Sequence, residues 1–518
     1  MTSINSLADL IEERLTKHAD KPAFNCLGQT LSFAEIDQKS YALAVWLQQH
    51  SGLQAGDRIV IQLPNLIQYP IAAYAALRAG LVLVNTNPLY TTREMKHQFK
   101  DSGAKAIIIL ADLYAKLAEI QSQTDIQHVI ITQAGDLISK GETPEAPAGT
   151  HQLLNILNAN SSETLAPRQN QALSDVCVLQ YTGGTTGVSK GAMLTNDSII
   201  NNALQTAPRL GFDPEVGNEI FVCPLPLYHI YAFTVNMVML ACSGNMNILI
   251  PNPRDMTAFI AAIKPFKFSG FAGLNTLFIG LCSQPEFHEL DFSELKVTIS
   301  GGTALTSSAA EVWMKVTGCT ISEGYGLSET SPVVCMNEPG KEVMGTVGLP
   351  LPGTTIKFIN PEGEELAQSE EGELLVKGPQ VMKGYWERPD ETAKSITPDG
   401  FFKTGDIGLA LPSGHIKIVD RLKDMIIVSG FNVYPNEVEQ VITQHPNVAE
   451  AAVIGEPCEH SGEKVCAYIT VQNEINEAEL ITYCREYLTA YKVPKKVVVL
   501  DELPKSTVGK ILRRELRK

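Results

Sequence analysis

Two long stretches of this chain alternate short β-branched runs with amphipathic helical segments, and that alternation leaves few folds open. The residues of Phe33–Gln49 place Ile36, Leu43 and Leu47 at helical spacing. The chain then passes to an apolar run at 58–63, a helical segment at 71–78, a strand-like run at 81–84, a helical segment at 94–100 and a β-branched run at 106–110. A second block of the same texture spans 176 to 330. Buried strands separated by amphipathic helices call for helices layered on a largely parallel sheet. Beyond Gly345 short strands between turns, at 355–359, 373–377 and 415–419, predict a small β-barrel-like layer. After Arg421 two helical patterns, 436–444 entered through Pro435 and 477–488, stand among strands at 450–455, 465–471 and 496–500. The expected fold is therefore α/β: residues 1–420 form a large N-terminal domain of two layered α/β subdomains plus the small β layer. Residues 421–518 form a small α+β C-terminal domain.

Composition excludes several classes. The 518 residues carry a formal net charge of −16, which repels polyanions and argues against nucleic acid as a partner. The ten cysteines show no C-x-x-C pair and no zinc spacing with histidine, so they read as reduced core thiols of a cytoplasmic protein. Residues 1–22 mix acids and bases without an apolar core, so no secretory signal is expected. The greasiest stretch, 230–250, is interrupted by Asn236, Ser243, Gly244, Asn245 and Asn247. It reads as a core helix, a turn and a strand rather than a membrane span, which needs about 20 mostly apolar residues. From Lys492 onward the chain is basic on an otherwise acidic protein. That segment is either a solvated face or the seat of an anionic partner: nucleotide or CoA phosphates, or lipid headgroups.

The strongest chemical signal is the run Tyr181, Thr182, Gly183, Gly184, Thr185, Thr186, Gly187, followed by Ser189, Lys190 and Gly191. Glycines let backbone N–H groups turn toward an anion, hydroxyls add donors, and the lysine adds charge. It is not a Walker A loop, because Gly191 follows the lysine. Further on stand Gly301, Gly302 and Thr303; then Glu323, Gly324, Tyr325, Gly326 and Glu329; then Thr404, Gly405 and Asp406; then the 420–424 segment with Arg421 and Lys423; and finally Pro504, Lys505, Gly509 and Lys510. A tyrosine between glycines offers a flat face to a purine, and a carboxylate such as Glu329 is a hard ligand for Mg²⁺. His229, in an apolar setting, is an ordinary core histidine unless a substrate is brought to it.

In that order the motifs resemble those of the adenylate-forming superfamily: acyl-CoA synthetases, adenylation domains and luciferases. The resemblance covers essentially the whole chain and is closest to bacterial long-chain fatty acid–CoA ligases. It implies a phosphate loop at Thr182, Gly183, Gly184, Thr185, Thr186, Gly187 and Lys190, and an adenine site at Gly302, Thr303, Gly324, Tyr325 and Gly326. Asp406 and Arg421 would take the ribose, and Glu329 with Thr182 (or Thr185) the magnesium. Lys510 would be the catalytic lysine, His229 an orienting group beside the substrate carboxylate, and Phe233 an aromatic gate to an acyl tunnel. The implied chemistry has two half-reactions, acyl-AMP plus pyrophosphate from ATP, then acyl-CoA plus AMP. Between them the C-terminal domain turns about Lys423, and Gly430 lines the pantetheine channel. Fatty acid, ATP and CoA are the implied substrates, and weak peripheral contact with a membrane and a homodimer are both compatible with it. The alternatives are a medium-chain or aryl-acid CoA ligase, or a stand-alone adenylation enzyme loading a carrier protein. A luciferase-like role is disfavoured by Ile427, where those enzymes carry a second lysine.

Overall fold

The computed structural model describes residues 4–138, 146–159, 162–168, 171–182, 189–211, 216–458, 460–506 and 510–517. A seven-stranded sheet runs in the order His151–Gln152, His128–Thr132, Ala106–Leu110, Arg58–Gln62, Val82–Asn85, Val176–Thr182, Lys190–Thr195. Its pairs are parallel except the last, an antiparallel hairpin in which Thr182 faces Lys190. The glycine-rich run therefore joins two strands of one sheet edge, rather than a strand to a helix.

A nine-stranded sheet has the order Leu349–Pro350, Val333–Met336, Ile321–Gly326, Val297–Gly301, Gly270–Gly273, Ile220–Cys223, Met246–Leu249, Pro22–Cys26, Gln29–Ser32. Its centre is parallel and its margins antiparallel. The sequence blocks and the sheets do not coincide. Val176–Thr182, which opens the second block, pairs with Val82–Asn85 in the first sheet. Pro22–Cys26, ahead of the first block, pairs with Met246–Leu249 in the second. Helix Gln68–Arg78 is buried along its whole length and belongs to the core shared by the two sheets. Its Tyr74 hydroxyl donates to the Met237 carbonyl at 2.6 Å. Met237 lies in Phe233–Leu240, a π-helical stretch whose residues are all buried. The helix, turn and strand expected at 230–250 are present, wound more widely than an α-helix. Stretches of this kind recur at functional sites.

The expected barrel-like layer is an open antiparallel meander of Thr355–Ile359, Gly372–Lys377, Phe402–Ala410 and Ile416–Arg421; no closed barrel forms among the described residues. The end of Ile416–Arg421 leads into the C-terminal unit. There Phe431–Val433, Ile426–Val428, Gly462–Val471 and Val448–Cys458 form a sheet, with Lys496–Val499 pairing on Gly462–Val471. Helices Pro435–Thr443 and Glu477–Tyr487 cover it through Val438, Ile442, Leu480 and Cys484, giving this unit its own core. All ten cysteines are free and eight are buried, as structural thiols should be. No helix among the described residues is long and apolar enough to cross a membrane.

Candidate active site

The carboxyl ends of the central parallel strands in the nine-stranded sheet converge with the phosphate-loop hairpin and the meander, the position at which open α/β sheets bind ligands. Gly301 ends one strand and faces Gly324 on the next. Gly302 follows at φ +87°, a conformation that suits glycine, with Thr303 beside it. At Gly326 a side chain is excluded: a Cβ would lie 2.0 Å from the Pro332 carbonyl oxygen. Between these glycines the Tyr325 hydroxyl donates to Asp406 Oδ2 at 2.5 Å. The tyrosine thus ties the sheet to the meander, a tether the sequence reading of a flat purine face does not contain. Asp406 pairs across the meander with Arg421, whose Nε lies 3.4 Å from Asp406 Oδ1. Glu323, one turn of strand earlier, is pushed up to about 7 by burial, while its carboxylate accepts from Leu305 N–H at 3.0 Å.

The phosphate end is built differently. The turn Ser328–Thr330 packs against both strands of the hairpin, whose facing ends carry Thr182 and Lys190. Burial raises the Glu329 carboxyl, and a hydrogen bond donated by the Tyr385 hydroxyl to Oε1 at 2.8 Å opposes that. Oε2 receives no hydrogen bond from another residue among the described ones. A carboxylate oxygen of this kind suits Mg²⁺, which takes few protein ligands and fills its shell with phosphate oxygens and water. Lys190 forms an ion pair with Glu391 and lies 5.3 Å from the centre of the Tyr385 ring. Hydrogen bonds from Lys190 and Lys394, and then their charges, hold the Glu391 carboxyl down at about 2. Gly183, Gly184, Thr185, Thr186 and Gly187 lie outside the described residues.

The third component comes from the far end of the chain. The Lys510 carbonyl accepts from Ser506 N–H at 2.7 Å. Burial lowers its ammonium to about 7, the Arg421 cation adds to that, and Asp406 opposes it. His229 is lowered to about 4 by burial first and the Lys510 charge second, so its ring is neutral at neutral pH. Nδ1 of His229 accepts from Tyr231 N–H at 3.3 Å, and its carbonyl accepts from Phe233 N–H at 3.0 Å. Lys510 is therefore within electrostatic reach of His229, Asp406 and Arg421, although it belongs to the C-terminal unit. Gly430 is elsewhere. It sits at φ +84° on an exposed loop of that unit, beside Phe431, which stacks on Tyr491 at 4.8 Å.

Three features escape the sequence reading. Tyr385 and Glu391 lie in a stretch without a motif, marked only by an aromatic pair after Gly384. The basic C-terminal segment turns inward: Lys492 pairs with Glu437, Lys496 with Glu456, Lys505 with Glu450 and Arg517 with Asp424. Arg513 makes a two-pronged contact with Glu439, at 2.9 and 2.7 Å, and reaches Asp420 at 3.4 Å and Asp424 at 3.5 Å. Asp420 also accepts from Asn436 N–H at 2.7 Å. Arg513 thus clamps the connecting segment 420–424 to the C-terminal unit. For these five cations, the anionic partners are the protein's own carboxylates.

Comparison with known proteins follows the same division. Residues 11–386 match the model of the AMP-binding enzyme family, and 437–510 that of the AMP-binding enzyme C-terminal domain. A long-chain-fatty-acid–CoA ligase of Salmonella typhimurium is 44% identical, covering 99% of this chain and 94% of that protein. One from Bacillus subtilis is 37% identical over the same shares. Among solved structures, ATP-bound MatB from Rhodopseudomonas palustris is 30% identical and superposes with a TM-score of 0.87, covering 99% of this chain and 98% of that one.

Proposed function

The chain belongs to the AMP-binding enzymes, and from that premise we propose that it is an ATP-dependent acid–CoA ligase acting on long-chain fatty acids. The reaction joins the carboxylate to the α-phosphorus of ATP with release of pyrophosphate. The CoA thiol then attacks the acyl carbonyl, and AMP leaves. The observation that carries this reading is that Lys510, a residue of the C-terminal unit, lies within electrostatic reach of Asp406, Arg421 and His229.

The first step must bring an anion to a polyanion, so its catalysis is positioning and charge neutralisation. Asp406 accepts from the ribose hydroxyls, which requires the Tyr325 hydroxyl to share that carboxylate. Gly302, Thr303, Gly324 and Gly326 leave room for the base. Lys190 and the 183–187 run hold the β- and γ-phosphates, and Lys510 bridges the reacting carboxylate and the α-phosphate. His229, uncharged, orients the carboxylate without competing for a proton. Glu329 and Thr182 would hold a magnesium ion, which would supply charge neutralisation at the phosphates. The second step needs room where Lys510 stands. The unit from 421 onward turns about Lys423, leaving residues 1–420 as the static part and bringing Gly430 to the pantetheine path. The thiol, with an ordinary value of about 8.5, attacks an already activated carbonyl and needs no dedicated base.

The long-chain assignment draws on the relatives' substrate and on the buried apolar run that begins at Phe233, one turn from His229. We place the enzyme in the cytoplasm with at most weak contact with anionic lipid, because five basic side chains near the C-terminus are neutralised within the protein. The test measures pyrophosphate release from ATP with saturated acids of graded length, with and without CoA, alongside acyl-CoA formation. Long acids should give acyl-CoA. Pyrophosphate release without any thioester when CoA is present would contradict the ligase reading, and a preference for short or aromatic acids would overturn the chain-length assignment.

A further inference from the structure

We propose that Tyr385 is a positioning residue for the phosphate end of the site: its hydroxyl aims Glu329 at the metal, and its ring seats Lys190. The proposal rests on the reading of Glu329 as a metal ligand.

The backbone around Tyr385 is fixed against the returning strand of the phosphate-loop hairpin. Lys383 N–H donates to Met193 O at 2.9 Å, Met193 N–H to Gly384 O at 2.9 Å, and Trp386 N–H to Gly191 O at 2.8 Å. Tyr385 is thereby held opposite Ala192. Its own N–H donates to the Thr392 hydroxyl at 2.9 Å, and a Cβ at Gly384 would lie 2.7 Å from Thr392, so the approach is close on that side too. The same segment grips Glu329 twice. Met382 N–H donates to the Glu329 carbonyl at 2.8 Å, and the Tyr385 hydroxyl donates to Oε1 at 2.8 Å.

A glutamate side chain has three rotatable bonds, and a metal ion reads only the direction of its free oxygen. Fixing Oε1 from one side and the backbone from the other leaves Oε2 a single direction. Carboxylates that ligate metals are themselves hydrogen-bonded, and loss of such a partner typically weakens metal binding by about 10–100-fold. The ring adds a second effect. The Lys190 ammonium sits 5.3 Å from its centre, an attraction of the cation–π kind, and the same ammonium pairs with Glu391. One side chain therefore links the carboxylate that faces the metal to the lysine that faces the phosphates.

The experiment uses the full-length protein with ATP, no acid, and Mn²⁺ as the metal probe, following free Mn²⁺ by electron paramagnetic resonance. Tyr385→Phe keeps the ring and removes the hydroxyl. It should weaken Mn²⁺ binding about tenfold while leaving the thermal midpoint and the metal-free affinity for ATP near those of the parent. Tyr385→Leu, which removes the ring as well, should in addition weaken metal-free ATP binding, because Lys190 loses its seat. Glu329→Gln tests the underlying reading separately. If Glu329→Gln weakens Mn²⁺ binding and Tyr385→Phe does not, the positioning role is wrong and the ligand assignment stands. If Glu329→Gln has no effect, both fall. A Tyr385→Phe protein that melts earlier and loses metal and ATP affinity in equal measure has lost a packing contact, which also overturns the proposal. Equal metal-free ATP affinities in the Phe and Leu variants would remove the role of the ring.

Discussion

Lys510 should impose a pH dependence on ATP capture that the bound complex does not share. In the ligand-free enzyme burial and Arg421 bring its ammonium down to about 7. The cation is then about half populated at pH 7, about one in eleven at pH 8 and about one in a hundred at pH 9. Because the triphosphate needs the cation, kcat/KM for ATP should fall about tenfold per pH unit above 7, since that parameter reports the free enzyme. Once ATP is bound its phosphates favour the ammonium, so kcat should hold to higher pH. The sign for stability follows from the same value. A lysine lowered on burial disfavours the closed arrangement when protonated, so that arrangement is strongest above the ordinary lysine range, weakens as pH falls from there to about 7, and levels off below it. His229, at about 4, is neutral throughout this window and contributes nothing to it. Glu323, at about 7, does titrate there, so Glu323→Gln is the control and should keep the decline. Lys510→Arg, charged at every pH used, should be slower but flat. The assay is pyrophosphate release at sub-saturating and saturating ATP between pH 6 and 9, at saturating acid. A flat kcat/KM profile in the parent, or an undiminished decline in Lys510→Arg, would refute the reasoning.

Two other substitutions probe the frame around the site. Arg513→Ala strands Glu439 and Asp420 without their cation and should cost about 3–5 kcal/mol, seen in denaturant unfolding as an early transition of the C-terminal unit; Arg513→Lys, lacking the fork that spans both Glu439 oxygens, should recover less than half. An unchanged unfolding curve for Arg513→Ala would mean that the clamp on 420–424 carries no stability. Gly326→Ala drives a methyl into the Pro332 carbonyl, an overpacking cost of about 1–3 kcal/mol. Because it displaces Tyr325 from Asp406, it should also weaken ATP binding in equilibrium titration; parental affinity would show that the Tyr325–Asp406 tether is not needed for the nucleotide.

The residues proposed to hold the nucleotide stand out in the sequence because their chemistry is local. A glycine at positive φ, a tyrosine between glycines or a carboxylate after them announces itself whatever the fold around it. Sheet membership is not local. Pro22–Cys26 has Phe24 and Cys26 but no period that says which strand it will meet, and its partner lies more than two hundred residues away. Phe402–Ala410 carries Gly405, Asp406 and Gly408, residues that weaken a strand signal, so the strand that presents the Asp406 carboxylate, proposed for the ribose, is hidden by the motif itself. The π-helical winding of Phe233–Leu240 leaves no mark, because an apolar run with little amphipathic contrast does not distinguish the two helices. Arg513 disappears among its basic neighbours, and only the fold shows that Glu439 and Asp420 wait for it. Tyr385 is the instructive omission: its partners, Glu329 and Lys190, are both recognisable, yet nothing in one dimension joins them.

In the proposed mechanism one mobile unit serves two chemistries, delivering Lys510 for the first and withdrawing it for the second. It is tested most directly by Lys510→Ala in the two half-reactions measured apart: pyrophosphate release from ATP and fatty acid, and acyl-CoA formation from supplied acyl-AMP and CoA. The account predicts a large loss in the first and a rate near that of the parent in the second. Equal losses in both would contradict it.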